Sequence, residues 1–166
     1  MEVILRNPIP GDIGWLISIH GKLYAEQFEF DSNFEKDIAR KLIAFLDKQD
    51  DFNRIWVATT GEEPIGSIAV SLKPDQSAFI NFLLVKTAYR GRGVARSLMD
   101  KVVSHCRDNN IGLLSLETYS CLTAARKLYG QYGFTLSTRK VGVEKYGQSF
   151  DQEFWEKRLE TSDGSN

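Results

Sequence analysis

Apolar residues along this chain come in two rhythms: short continuous runs, and stretches in which they recur every three or four positions. The first run, Val3-Ile4-Leu5, is closed by Pro8 and Pro10 and predicts a strand. Ile13, Leu16, Ile17, His20, Leu23 and Tyr24 then share one helical face, with Asp12 placed to cap the helix and Glu26 near its end. Asp31 or Ser32 caps a second helix, with Glu35 completing a capping box with Ser32; its apolar stripe is Phe34, Ile38, Leu42, Phe45 and Leu46. Residues 53–60 and 65–72 predict an antiparallel hairpin about the turn Gly61-Glu62-Glu63-Pro64.

Residues 79–95 organise the rest. An apolar run (Phe79, Ile80, Phe82, Leu83, Leu84, Val85) predicts a fourth strand and gives way to a basic, glycine-bearing loop, Arg90-Gly91-Arg92-Gly93-Val94-Ala95. A helix begins at once, with Ala95, Leu98, Met99, Val102, Val103 and Cys106 on one face, and ends near residues 108–110. Residues 113–119 predict a fifth strand, parallel to the fourth because a helix intervenes. Leu122, Ala125, Leu128, Tyr129 and Tyr132 mark a short helix stopped by Gly133-Phe134. Residues 134–143 and 149–159 predict two last strands paired as an arm, and residues 161–166 a polar tail. The expected fold is α/β in a single domain over residues 1–160. It has a mixed sheet of about seven strands, antiparallel apart from one central parallel step, flanked by about four helices.

Strand, glycine loop and helix in that order make an anion seat. Glycines let the ligand approach the backbone, N–H groups converge, and the helix start adds partial positive charge. In a sheet with a parallel step, ligands bind beyond the carboxyl ends of the parallel strands, where this loop and the start of the short helix both fall. No P-loop string is present, and a dinucleotide fingerprint fails because Arg96 stands where the third glycine belongs. A plain glycine turn with solvated arginines reads the same from these residues alone.

The bulk numbers narrow the partner. A chain of 166 residues with 42% hydrophobic and 26% charged residues has an ordinary globular composition. Its net charge of −1 argues against a nucleic-acid partner, and the local arginines suit a small anion better. No run is long enough to span a membrane and no signal peptide is evident, so the cytoplasm is expected. Two cysteines, Cys106 and Cys121, fit a reducing compartment. No metal-ligand cluster is expected.

Arg90-x-x-Gly93-x-Ala95, within LLVKTAYRGRGVARSLM, resembles the pyrophosphate motif of the GNAT superfamily of acyl-CoA-dependent N-acetyltransferases. AARKLYGQYGF is similar to that superfamily's second signature, at the fitting distance. Three longer segments, HGKLYAEQFEFDSNFEKDIA, ETYSCLTAARKLYGQYGF and YGQSFDQEFWEKRL, resemble the acetyltransferase half of bacterial proteins fused to a MarR-type DNA-binding domain; no such module is present here.

The resemblance implies acetyl-CoA as cosubstrate, direct attack by a primary amine of a small molecule or peptide, and no metal. It places the backbone N–H groups of Arg92, Gly93, Val94, Ala95, Arg96 and Ser97 on the pyrophosphate, with Gly91 in the same loop and the Arg90 and Arg92 side chains adding charge. The pantetheine arm would pair with Leu83, Leu84 and Val85, the Leu83 N–H reaching the thioester oxygen. Tyr129 matches the motif tyrosine that serves as general acid, although helical spacing equally allows a core aromatic. The strand-four glutamate of some members is Phe79 here, so the base is open: Glu117, an acid in a mainly apolar strand; Glu26; or a water relay. Where many members have asparagine this chain has Leu122, and Ser120 or Thr123 could take over its contact. The acceptor pocket is expected to be lined by His20, Tyr24, Trp56, Tyr119 and Tyr146. A homodimer built through the last hairpin is among the expected states. The alternative function is a non-catalytic acyl-CoA sensor.

Overall fold

The computed structural model describes residues 1–160; the polar tail expected at residues 161–166 lies outside them. Seven strands form one sheet in the order β1-β2-β3-β4-β5-β7-β6. The strands are β1 (Ile4–Arg6), β2 (Arg54–Thr60), β3 (Glu63–Leu72), β4 (Ala78–Val85), β5 (Leu113–Tyr119), β6 (Thr135–Lys145) and β7 (Gln148–Arg158). The helices are α1 (Asp12–Phe28), α2 (Ser32–Asp47), α3 (Val94–Asp108) and α4 (Thr123–Gln131), with a one-turn 3₁₀ helix at Thr87–Tyr89. Among the described residues only β4 and β5 pair in parallel. This is the mixed α/β fold expected from the sequence.

Two apolar cores hold the layers together. One joins Leu98, Met99, Val102 and Cys106 of α3 and Tyr129 of α4 to Ile68, Ile80, Leu114 and Leu116 of the sheet. The other joins Leu16 of α1 and Phe34, Ile38 and Leu42 of α2 to Phe82, Tyr119 and Phe150. The 3.6-residue stripes on α2 and α3 cause this arrangement, since each helix can bury its apolar face only against the pleated surface. Leu46 is exposed at the end of the α2 stripe. The cap of α1 differs from expectation, whereas that of α2 is one of the two expected. Gly11, with φ 100°, is the N-cap of α1, and the Asp12 carboxylate instead reaches back to the Ile9 N–H at 2.8 Å and Arg6 at 2.6 Å. Asp31 caps α2 through the Asn33 N–H. Glu35 lies against Gly21 of α1, where a Cβ would stand 2.1 Å from its carboxylate, so a tight helix crossing takes the place of the capping box.

The last hairpin is not a free arm. β7 pairs along its length with β5 and also with β6, which leaves β6 as the edge. A buried charge cluster locks this insertion to α4. Glu153 is fully buried and accepts from Arg126 at 3.0 Å and 3.2 Å, from Arg139 at 3.1 Å and from the Trp155 indole at 3.1 Å. Taking away its charge leaves the Arg126 guanidinium without its carboxylate partner and Arg139 with Asp151 at 4.0 Å. Glu153→Gln is therefore expected to lower unfolding stability by about 2 kcal/mol. The measurement is denaturant unfolding followed by circular dichroism, and an unmoved midpoint contradicts the assignment.

Candidate functional site

The helix α3 starts without a side-chain cap. Its N-cap, Gly93, has φ 81°, and Gly91 has φ 75°. Positive φ at both positions favours glycine, and a Cβ at either would meet nothing within 4 Å. The first N–H groups of α3 therefore open onto free space with the helix dipole behind them. The 3₁₀ turn that precedes the loop is anchored to β3. Glu63 accepts from Lys86 at 2.8 Å and from the Tyr89 hydroxyl at 2.6 Å. Those contacts hold the Glu63 carboxyl below its usual range and the Tyr89 hydroxyl above its own. Arg90 reaches the Val85 carbonyl and Gln27 of α1 at 3.1 Å, tying the loop to the helix opposite.

This seat is one end of a cleft of about 590 Å³, well within the range of small-molecule sites. Arg90, Arg96 and Lys127 lie along it, and its walls include Leu23, Phe28, Leu83, Leu84, Val85, Leu122, Ala125 and Leu128. The cleft exists because β4 and β5 part company. Their parallel pairing covers only Ala78–Leu114, Phe79–Ser115 and Ile80–Leu116. Beyond Ile80, β4 has no pairing with β5, and its backbone can take an extended ligand.

A β-bulge marks the fork. The β3–β4 register shifts between Ser67 and Ala69, and Phe82 takes φ 55°, a left-handed conformation that non-glycine residues seldom adopt. The fully buried Ser67 holds it, its hydroxyl donating to the Phe82 carbonyl at 2.7 Å. The alternating pattern of β4 carried no sign of this bulge. It sends Phe82 into the α1/α2 core while Ile80 and Val85 belong to the other.

A second, smaller cavity of about 110 Å³ is lined by β4 and β5 together. Leu83, Tyr24 and Leu122 line both cavities, so the two lie next to each other across these residues. The second cavity also carries Tyr129, Glu117, Thr118, Tyr119, His20 and Lys41. Tyr129 is buried at 6% exposure, and burial, together with nearby Tyr24, pushes its hydroxyl pKa well above the ordinary value, so it is protonated throughout the working range. Burial likewise raises Tyr24 and Tyr119. His20 is 2% exposed, and burial lowers its pKa to about 4. Glu117 accepts from the Gln152 amide on β7.

Most residues expected from the sequence meet at these cavities. Leu83, Leu84, Val85, Arg90, Gly91, Gly93, Val94, Ala95 and Arg96 line the cleft, and Tyr129 and Glu117 line the second cavity. Others stand apart. The Arg92 guanidinium lies over the Tyr89 ring, 5.7 Å from its centroid, and outside the cleft lining. The Ser97 N–H bonds to the Gly93 carbonyl at 3.0 Å, so it belongs to the helix ladder and is not a free donor. Glu26 faces solvent, while its neighbour Gln27 takes the inward position. Trp56 sits in the α3/α4 core against His105, and Tyr146 bonds to Asp37 of α2 at 2.9 Å, so neither lines the second cavity. Ser120 is taken up by the Asp151 N–H, whereas Thr123 lines the cleft beside Leu122. Sequence reading missed Lys127, Thr118, Asn81 and Lys41. Among the described residues no group of three or more His, Cys, Asp or Glu side chains is placed to hold a metal ion, and no helix is long and apolar enough to cross a membrane.

Comparison with known proteins agrees with this geometry. The profile of the acetyltransferase (GNAT) family matches residues 20–134. The chain is 32% identical over 88 residues to N-acetylaspartate synthetase of Danio rerio, a match covering 52% of this chain but 30% of that protein. The chain thus spans under a third of the length of that relative. An N-acetyltransferase from Staphylococcus aureus Mu50 superposes with a TM-score of 0.79 at 17% identity, over 96% of this chain and 100% of that one. The ribosomal-protein-alanine N-acetyltransferase from Brucella melitensis superposes with a TM-score of 0.76 at 18% identity, over 94% and 99%.

Proposed function

The chain belongs to the acetyltransferase (GNAT) family, and from that premise we propose that it moves the acetyl group of acetyl-CoA onto a primary amine of a small molecule or peptide, by direct attack, with Tyr129 as general acid. One observation supports this reading above the others: the long cleft and the smaller cavity share Leu83 in their walls, and Tyr129 lines the smaller one. The names of both the curated relative and the Brucella melitensis protein speak of N-acetylation.

In this reading acetyl-CoA brings the activated acetyl group, and the chain's own residues bind, orient and move protons. Gly91 and Gly93 admit the pyrophosphate to the N–H groups at the start of α3. Arg90, Arg96 and Lys127 neutralise phosphate charge around it. The backbone of Leu83–Val85 holds the pantetheine amides as an added strand would. In this reading the Leu83 N–H, next to the bulge at Phe82, donates to the thioester oxygen, where a donor favours the charge that grows during attack. Glu117 takes the proton of the amine, and the Tyr129 hydroxyl donates to the departing sulfur.

The base assignment has its own test. Glu117→Gln keeps the Gln152 contact within reach but cannot accept a proton. Its kcat/KM for the amine is expected to fall about a hundredfold at neutral pH and to recover as the pH approaches the pKa of the amine itself. A parallel loss at every pH contradicts the base role. The overall reading is tested by incubating the protein with acetyl-CoA and a panel of amino acids, diamines and short peptides, and looking for the N-acetylated product by mass spectrometry.

The narrower likeness to acetyltransferase halves fused with MarR-type regulators belongs to the same reading and rests on the sequence segments alone. The two free thiols, the buried Cys106 and the half-buried Cys121, are compatible with a reducing compartment such as the cytoplasm. The outermost strand, β6, is exposed over nearly its whole length and offers an edge for a second copy.

A further inference from the structure

Two buried polar side chains line the second cavity, each with a polar atom that meets no protein partner among the described residues. The Thr118 hydroxyl is buried and unbonded, at 3% residue exposure. His20 is the other. Its Nδ1 lies 2.7 Å from the Leu16 carbonyl, which can only accept, so Nδ1 carries the proton. The ring is neutral, its charged form being disfavoured by burial. Nε2 is left as a lone pair on a side chain that forms part of the cavity wall. The ring stands edge-on to Phe82, the bulge residue next to Leu83, with centroids 6.0 Å apart, and stacks with Tyr24 at 6.1 Å. A phenylalanine would fill that aromatic niche without an acceptor nitrogen on the cavity wall.

We propose that His20 is an acceptor-binding residue: its Nε2 receives a hydrogen bond from an N–H of the incoming amine, with the Thr118 hydroxyl lining the cavity as a second partner. This rests on the amine-transfer reading above. A primary amine has two N–H groups, one for the His20 Nε2 and one that passes to Glu117 as the bond forms, with the Thr118 hydroxyl beside them, and it still has its lone pair free for attack. A tertiary amine has none to give. The cavity, about 110 Å³, has room for the amino group and a few carbons, which selects unhindered primary amines. The neutral imidazole supplies an acceptor where a second carboxylate would hold the amine as its ammonium ion and delay attack.

The test uses the whole chain with His20→Phe, which keeps the ring, and His20→Gln, which restores an acceptor. With a primary amine that the wild type acetylates, His20→Phe is expected to lower kcat/KM about thirtyfold, chiefly through KM, with acetyl-CoA affinity within about twofold, and His20→Gln to recover part of the loss. Wild-type kcat/KM in His20→Phe, or a worse loss in His20→Gln, means packing alone and overturns the proposal. A second readout needs no turnover. The chain has two histidines, and His105 carries the opposite tautomer, its Nε2 donating to the Phe52 carbonyl at 2.7 Å. The ¹⁵N spectrum therefore distinguishes them. The His20 Nε2 resonance should move as the amine is titrated in, and a stationary resonance at saturating amine overturns the contact. A wild type that binds acetyl-CoA but acetylates nothing defeats the transfer reading, and the ¹⁵N titration with the same amines then judges His20 separately.

Discussion

Gly93→Asp is expected to lower acetyl-CoA affinity about a thousandfold and leave the fold intact. A Cβ at Gly93 meets nothing within 4 Å, so there is room for the new side chain, but it must enter the space the ligand needs. The φ of 81° adds strain, which aspartate tolerates better than most residues. The carboxylate then lies beside the uncapped N–H groups of α3, where it competes with the pyrophosphate and repels it. Gly93→Ala separates the two effects, since it brings the strain without the charge, and its loss should be about tenfold. Calorimetric titration with acetyl-CoA measures both, and retained affinity in Gly93→Asp removes the cradle from the account.

Tyr129→Phe carries the other large effect. Turnover is expected to fall about a thousandfold with acetyl-CoA affinity within about twofold, because only a group acting in the chemical step changes. The ring stays, along with its packing against Phe134 at 6.0 Å, so a folding defect is not expected. Single-turnover measurement keeps product release from masking the loss. Unchanged turnover under those conditions assigns Tyr129 to the core alone.

Much of this molecule was legible in the sequence where one periodicity acted without competition. The order of strand, glycine loop and helix from β4 to α3 was read, because an apolar run, two glycines and an amphipathic helix each carry a local signal; the 3₁₀ turn at Thr87–Tyr89 was not. β5 was placed at its observed limits, Leu113–Tyr119. What escaped was set by tertiary contact. Trp56 belongs to β2, whose central residues are buried on both faces, so alternation could not say which core it enters. The expected arm became an interior strand because hairpin spacing does not reveal which of two strands meets β5. Nothing local singled out Glu153; its burial depends on Arg126, 27 residues away, and on Arg139. The bulge at Phe82 had no signal, since nothing local favours a phenylalanine at positive φ; the Ser67 hydroxyl that secures it comes from the neighbouring strand. Glu26 and Arg92 had the right chemistry and the right neighbourhood in sequence, but their side chains face away from the two cavities.

The most direct measurement for the account is release of the free thiol of coenzyme A. The wild-type chain is supplied with acetyl-CoA at a concentration shown by calorimetry to saturate it, and primary amines are added one at a time. Thiol release is expected to depend on at least one amine and to match, mole for mole, the N-acetylated product. Tight acetyl-CoA binding with no amine-dependent release across amino acids, diamines and peptide N-termini would contradict it and would leave the cleft as the seat of an acyl-CoA sensor.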